Sequence, residues 1–432
     1  MGSLRRQRFG WYAYDWANSA FFATVVTVFF GPYLTSVAKA AAGPDGMVRP
    51  FDLISLHPGS IYAFAASIAV VAQVIILPMV GAVADSTPFR RRLLGIFALS
   101  GAAATTLMFF LSVETANYLY GVFLFIVANL FFGASVVVYN AFLPELATPK
   151  EADTVSSRGW AWGYLGGGLL LLANLLYFTS AKESGTVDIA VRTILASAGI
   201  WWALFTILPL RLLPKESRRV VPSTMSGAFR QLITTLRHIR GYPMTLRFLI
   251  AYLLYNDAVQ TVILMASTYG EQELGLGLDV LTQAILLVQF VAVGGSLLFD
   301  RIARRIGTRH AIAVAIVGWM MIVLAAWLVV DSAQGFFILA AAIAVVLGGI
   351  QALSRSLFSQ MIPRGKEAEY FSLYEISDKG TSWLGTAFFG LAVTMTGSFR
   401  IAIASLVVFF VVGLILLVRV DVNRARADAA EQ

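Results

Sequence analysis

The sequence has no cysteine, only three histidines, and few charged residues among its 432 positions. The lack of cysteine excludes a disulfide framework, a thiolate metal site and a cysteine nucleophile. The histidines, His57, His238 and His310, lie in or beside the loops between apolar runs, so no histidine relay or metal cluster is indicated. Charged residues make up 13% of the chain, against roughly 25% in soluble domains.

Catalytic and nucleotide-binding motifs are missing as well. The sequence contains no GxxxxGK[ST], HExxH or GxSxG, which argues against direct ATP drive and against the commoner hydrolases. The glycine run between Gly163 and Gly168 is not followed by Lys-Ser/Thr, so it predicts helix packing rather than a phosphate loop. We therefore expect no enzyme, no cofactor and no metal.

Long apolar runs are what the sequence does contain. Hydrophobic residues make up 58% of the chain and the mean hydropathy is +0.77, which predicts a polytopic membrane protein. The runs are long and lack the alternation of a barrel, so we expect helices. Twelve transmembrane helices are predicted near residues 11 to 37, 60 to 82, 92 to 112, 117 to 140, 158 to 179, 189 to 211, 246 to 270, 280 to 299, 310 to 330, 335 to 357, 371 to 396 and 399 to 418.

The net charge of +8 comes from basic clusters between the apolar runs, so we expect no nucleic-acid partner. With both termini on one side, that side holds 27 of the 32 Lys and Arg residues, which predicts cytoplasmic termini. The first apolar run carries Asp15 and Asn18 and lacks a small-residue cleavage site, so it is not a signal peptide. The absence of cysteine and the arginine content favour a bacterial plasma membrane.

One stretch between two apolar runs occurs twice. The first copy is Gly81-Ala-Val-Ala-Asp85-Ser-Thr-Pro-Phe-Arg90-Arg91-Arg92, and the second runs from Gly295 through Asp300, Arg301, Arg304 and Arg305 to Gly307. Asp85 and Asp300 are 215 residues apart, Pro144 and Pro363 are 219 apart, and so are Gly166 and Gly385. These similar offsets predict an internal repeat.

The repeat predicts two pseudo-symmetric six-helix halves, 1–211 and 246–432, joined by a linker at 212–245. In such folds the substrate site lies at the interface of the halves, near the middle of the bilayer. The linker carries an apolar stripe that predicts an amphipathic helix on the cytoplasmic leaflet. A strap between the halves is the default interpretation, and partner binding is the alternative. The stripe is Phe229, Leu232, Ile233 and Leu236.

Acidic residues inside the apolar runs need an explanation, because an ionised carboxylate in a membrane costs about 2.5 kcal/mol or more. Asp15 in helix one has Asn18 three residues later, and Asp257 in helix seven has Gln260 at the same spacing. Each pair shares a helical face, which suggests cation binding or proton coupling. Alternatively, Asp15 lies near the membrane surface and caps local structure.

A second polar cluster surrounds helices ten and eleven. Gln351 and Arg355 are four residues apart and share a face. Arg355 could clamp a substrate carboxylate or phosphate, or it could pair with Glu375 as a cytoplasmic gate. Glu375 is also spaced for a structural ion pair with Lys379.

Four motifs in order resemble the vacuole effluxer family of the major facilitator superfamily: Tyr14-Asp-Trp-Ala-Asn-Ser-Ala20, Tyr255-Asn-Asp257, Gln351-Ala-Leu-Ser-Arg-Ser356 and Tyr370-Phe-Ser-Leu-Tyr-Glu375. The duplicated loop resembles the superfamily's signature between helices two and three. One departure is Ser296 in the usual glycine place of the second loop. The resemblance implies a secondary transporter of small organic solutes, such as the amino acids that yeast members export.

We therefore expect alternating access by a monomer in the lipid bilayer. The expected partners are a small-molecule substrate, an amino acid or a related zwitterion, and a proton or other coupling ion. The alternatives are a sugar or other small-solute transporter, and a lipid-handling or sensory protein on the same fold. The candidate substrate-binding residues are Tyr14, Asn18, Asp257, Gln260, Gln351 and Arg355. The candidate proton-coupling residues are Asp15, Asp257 and Glu375. The candidate gating residues are Gly81, Asp85, Arg90, Arg91, Glu145, Asp300, Arg304 and Arg305.

The gating role has a physical basis. Asp85 is expected to meet the positive end of helix eleven, which we expect to start near Phe371. The arginines at 90 to 92 are expected to reach Glu145, Glu151 or Asp153.

Overall fold

A computed structural model describes residues 2–215, 241–379 and 382–430. Within these ranges, eleven helical spans are long and apolar enough to cross a membrane, and one shorter apolar helix covers Leu384–Thr396. The helices before residue 215 are α1 (Gly2–Ala20), α2 (Phe30–Ala40), α3 (Ile61–Ser86), α4 (Arg90–Leu107), α5 (Tyr118–Asn140), α6 (Leu143–Leu146), α7 (Ala152–Ser184) and α8 (Val187–Leu212).

A nine-residue π-helix, Phe21–Phe29, joins α1 to α2, so the first span runs without a break from Ser3 to Ala40. The helices after residue 241 are α9 (Pro243–Leu274), α10 (Leu278–Ile306), α11 (Thr308–Leu328), α12 (Ala333–Ser359), α13 (Glu367–Lys379), α14 (Ser382–Thr396), α15 (Phe399–Ser405), α16 (Val407–Val418) and α17 (Val422–Ala430).

The predicted segment at 371 to 396 corresponds to two described helices, α13 and α14. The first of them, α13, begins at Glu367, four residues before the predicted start. The apolar stripe of the linker, from Phe229 to Leu236, lies outside the described residues, and so does the predicted amphipathic helix around it.

The described residues form two compact units. The first comprises those of 1–76, 89–139 and 162–216. Its core is aromatic: Trp202 of α8 is fully buried and packs against Phe21 and Phe132, with ring centroids 5.5 and 5.9 Å away. Trp11 stacks on Tyr139 at 4.6 Å and donates a 3.1 Å hydrogen bond to its backbone carbonyl. These contacts fix α1 against α5, and the π-helix against α8.

The second unit comprises the described residues of 77–88, 140–161 and 217–432. It therefore contains the end of α3, the turn after α5 and the beginning of α7, together with α9 to α17. Its core also holds stacked rings, with Tyr252 and Tyr374 4.3 Å apart and Phe358 5.2 Å from Tyr374. The packing brings α9, α12 and α13 together around a group of buried polar side chains.

Candidate functional site

The acid of the first unit is anchored. Asp15 is buried on α1, and its Oδ2 accepts a 2.7 Å hydrogen bond from the hydroxyl of Tyr139. Tyr14 and Asn18 are also buried on α1, and the Tyr14 hydroxyl has no hydrogen-bond partner among the described residues. The phenolic donor satisfies one oxygen of the buried Asp15 carboxyl group.

The acid of the second unit, Asp257, lies in a different environment. Asp257 on α9 is 1% exposed, and neither of its carboxylate oxygens has a hydrogen-bond partner among the described residues. The nearby hydroxyl of Thr261 donates 2.8 Å to the backbone carbonyl of Asp257, so it does not serve the carboxylate. A buried carboxyl without a partner strongly disfavours its ionised form.

A close helix approach encloses Asp257. A methyl group built on Gly385 of α14 would lie 2.8 Å from Asp257 Oδ2, and it would also overlap the Thr261 hydroxyl. Only glycine lets α14 come this close to α9. Gln260, three residues beyond Asp257, is half-buried on the same helix.

Gln351 does not contact Arg355, although the two share a face of α12. Its Nε2 donates 2.9 Å to Asn256 Oδ1, and Asn256 Nδ2 donates 2.9 Å to Asp378 Oδ1. The Tyr252 hydroxyl donates to the same Asp378 oxygen at 2.7 Å. Asp378 and Asn256 were not named as candidates from the sequence. Asn256 lies within a motif quoted above and Asp378 lies three residues beyond another, but their pairing depends on the fold.

Arg355 is buried in the second unit and donates to the segment that begins α7. Its Nε lies 3.0 Å from Ser156 Oγ, its Nη2 lies 3.0 Å from the Ser156 carbonyl oxygen, and its guanidinium lies 5.3 Å from the centroid of Trp160. Glu375 accepts a 3.0 Å hydrogen bond from Asn140 Nδ2. Its pairing with Lys379 lies outside the described side chains. Arg355 and Glu375 thus both bind the 140–161 segment.

Asp85 occupies the N-terminus of α13. Its Oδ1 accepts a 3.0 Å hydrogen bond from the Ala368 amide, and its Oδ2 accepts a 2.8 Å bond from the Glu369 amide. These amides belong to the first turn, where the helix has unpaired N–H groups and a positive dipole end. A methyl group on Gly81 would lie 2.6 Å from the Ala368 carbonyl oxygen, so glycine is needed for α3 to reach α13. We call this contact the Asp85 latch. It is the helix-end contact expected from the sequence.

Asp300 makes the corresponding contact with α7, which we call the Asp300 latch. Its Oδ1 accepts a 2.8 Å hydrogen bond from the Thr154 hydroxyl, and its Oδ2 lies 3.1 Å from Arg304 Nη2. The neighbouring Asp153 accepts 2.6 Å bonds from Ser356 and Thr308. The beginning of α7 is therefore bound to α10, α11 and α12.

The other predicted gating residues have varied environments. Arg91 donates 3.0 Å to the Leu213 carbonyl within the first unit. Arg90 is almost fully buried, Glu145 is half-buried and Arg305 is exposed.

The whole chain resembles known membrane transporters. The family model described as vacuole effluxer Atg22 like matches residues 3–430. An uncharacterized MFS-type transporter, YxiO of Bacillus subtilis, is 29% identical over 100% of this chain and 98% of its own length. Autophagy-related protein 22-1 of Phaeosphaeria nodorum is 27% identical over 99% of this chain and 92% of its own.

The fold is also found among solved structures. The proton:xylose symporter XylE of the major facilitator superfamily superposes with a TM-score of 0.74 at 12% identity, covering 96% of this chain and 94% of that one. At this identity the likeness concerns the fold alone, and it confirms the predicted all-α, twelve-helix architecture. The chain is a multi-pass membrane transporter that belongs to the vacuole effluxer Atg22-like family.

Proposed function

We propose that this chain is a proton-coupled secondary transporter that moves an amino acid or a related zwitterion by alternating access. The observation that carries the proposal is Asp257, a membrane carboxyl that is 1% exposed and has no hydrogen-bond partner among the described residues. Burial without a hydrogen-bond partner disfavours the ionised form of a carboxyl, so opening of the site to water would favour release of its proton.

Asp15 and Glu375 are weaker coupling candidates, since each already accepts a hydrogen bond. A group that must gain and lose a proton during each cycle needs two environments of different polarity. Asp257 provides this if α14 separates from α9 at Gly385, because the carboxylate would then gain access to water.

The contacts of Arg355 support a gating role rather than a substrate clamp. Its guanidinium donates to the side chain and the backbone of Ser156, and these bonds occupy donors that a substrate carboxylate would need. Together with the Asp85 and Asp300 latches, Arg355 binds the 77–88 and 140–161 segments to the rest of the second unit. We propose that these contacts stabilise one conformation of the transport cycle and break in the other.

The family description, a vacuole effluxer, supports solute efflux. The full-length match to a Bacillus protein supports a bacterial plasma membrane, and the arginine distribution supports cytoplasmic termini. We further propose that the functional unit is a monomer built from the halves 1–211 and 246–432.

The substrate class is tested first by thermal unfolding of the purified protein with amino acids, amines, peptides, sugars and lysolipids. A ligand that binds only the folded state raises the unfolding temperature. We expect a neutral amino acid to do so. Stabilisation by sugars or lysolipids alone would replace the amino-acid proposal with one of the alternatives.

Coupling is tested in proteoliposomes with an imposed pH gradient and the labelled amino acid. We expect Asp257→Asn to abolish gradient-driven accumulation while amino-acid exchange without a gradient continues. Asp331→Asn, at an exposed acid outside the helices, is the matched control and should behave as the wild type. Normal accumulation by the Asp257→Asn variant would show that this residue does not carry the coupled proton.

A further inference from the structure

We propose that Asp378 binds the ammonium group of the substrate, in a subsite that it forms with Tyr252, Asn256, Gln351 and Tyr374. We call these five residues the Asp378 cluster. The inference rests on the proposed function and identifies the group that recognises the amine.

Asp378 is held in one orientation. The Tyr252 hydroxyl and Asn256 Nδ2 both donate to its Oδ1, at 2.7 and 2.9 Å. Asn256 is itself fixed, because Gln351 donates to its other side-chain atom at 2.9 Å. Such a chain of hydrogen bonds fixes the carboxylate before any ligand arrives, which lowers the entropic cost of binding.

Oδ2 is the oxygen of this carboxylate that we assign to the ligand. Among the described residues, none donates a hydrogen bond to Asp378 Oδ2, and the side chain is half-buried rather than enclosed. An ionised carboxylate can accept several hydrogen bonds, and Oδ1 already has its donors. The arrangement therefore presents one directed, negatively charged acceptor.

Aromatic rings lie beside this acceptor. Tyr252 and Tyr374 are stacked with centroids 4.3 Å apart, and Tyr252 meets Tyr255 edge-on at 5.5 Å. The Tyr252 hydroxyl donates to Asp378, so the carboxylate lies at the edge of this ring, and an ammonium ion bound there gains charge pairing with the carboxylate. An anionic group would be repelled at the same place.

Asp257 is a poorer amine site, although the sequence made it a candidate. The carboxylate of Asp257 is enclosed by the close approach of Gly385, where even a methyl group does not fit. A proton needs no such space. The two acids thus divide the tasks, with Asp378 for the substrate amine and Asp257 for the coupled proton.

The test compares an amino acid with the 2-hydroxy acid of the same side chain, which lacks the ammonium group. We expect the wild-type protein to bind the amino acid about tenfold or more tightly than the hydroxy acid. Asp378→Asn should weaken amino-acid binding by about tenfold and leave hydroxy-acid binding unchanged. Tyr252→Phe, which keeps the carboxylate and the ring, should cost only a few-fold. Asp331→Asn serves again as the control.

A measurement on the wild-type protein covers the case in which Asp378→Asn does not fold. Modification of Asp378 by a water-soluble carbodiimide, read by peptide mass spectrometry, should be slowed by the amino acid and not by the hydroxy acid. If the protein accumulates amino acids but Asp378→Asn keeps the full preference, or the amino acid gives no protection, the amine subsite is wrong and the transport proposal stands. If the wild-type protein binds only solutes without an amine, both proposals are overturned.

Discussion

Asp85 accepts a 2.8 Å hydrogen bond from the backbone amide of Glu369, a residue 284 positions further along the chain. The bond joins the end of α3 to the first turn of α13, and the second carboxylate oxygen repeats it at Ala368. An acid in this position satisfies two amides that have no partner within the helix and meets the positive end of the helix dipole. It can bias the transport cycle only if the contact differs between conformations.

Asp85→Asn should weaken this latch. Asparagine keeps one acceptor oxygen and loses the charge, and hydrogen bonds to charged groups contribute about 1.5–3 kcal/mol. The conformation with the latch closed should therefore lose population by about tenfold or more. The chain has no cysteine, so a single introduced cysteine reports the change directly.

A suitable reporter is Ala352→Cys. Ala352 is fully buried, and its carbonyl accepts a 2.7 Å bond from Ser156. Maleimide labelling of this cysteine should be slow in the parent protein and faster with Asp85→Asn. Equal rates would mean that the Asp85 latch does not control access to this region.

Thr154→Val should loosen the Asp300 latch by a smaller amount. Valine has nearly the shape of threonine but cannot donate to Asp300, which keeps Arg304 at 3.1 Å. We expect a cost of about 0.5–1.5 kcal/mol in the same labelling assay. Thr179→Val is the matched control, because Thr179 is exposed on the same helix. Its hydroxyl donates to the backbone carbonyl of Leu175, one turn earlier in that helix. If the two threonine variants label alike, the Thr154 hydroxyl does not contribute to closure.

The sequence predicted the membrane spans well, because long apolar runs must form helices in lipid. It placed the starts of α7 and α13 too late, by six and four residues. Their first turns contain buried polar residues such as Asp153, Glu367 and Glu369, and hydropathy does not detect such turns. The π-helix at Phe21–Phe29 was also missed, since a change in helical hydrogen bonding leaves no pattern in the sequence.

The candidate site was predicted in part. An acid within an apolar run is visible from the sequence, so Asp15 and Asp257 could be named as candidates. Their different environments depend on the neighbours Tyr139 and Gly385, which lie on other helices. Asp378 was overlooked because it lies three residues beyond the motif that ends at Glu375, and its donors lie over a hundred residues away in the sequence.

Gly385→Ala should impair coupling and lower the thermal unfolding temperature in detergent. The added methyl group meets the Thr261 hydroxyl and the Asp257 carboxylate, so α14 must move away from α9. Gly390→Ala on the same helix is the matched control, because no described atom lies within 4 Å of its added methyl group. That control should be neutral or stabilise the helix by up to about 1 kcal/mol. If both variants behave alike, the close approach at Asp257 is not important for coupling.

Arg355→Lys distinguishes a gating role of Arg355 from direct binding of the substrate carboxylate. Lysine cannot bond both the hydroxyl and the carbonyl of Ser156 while stacking on Trp160, so the variant should lose about 1–3 kcal/mol of stability and label faster at Cys-substituted Ala352. A gate residue acts on the conformational equilibrium, so the affinities for an amino acid and for the amine without its carboxylate should change by the same factor. A clamp would weaken the amino acid alone, because only that ligand carries the carboxylate that the guanidinium would bind. Arg305→Lys, at an exposed arginine, should change neither affinity nor labelling.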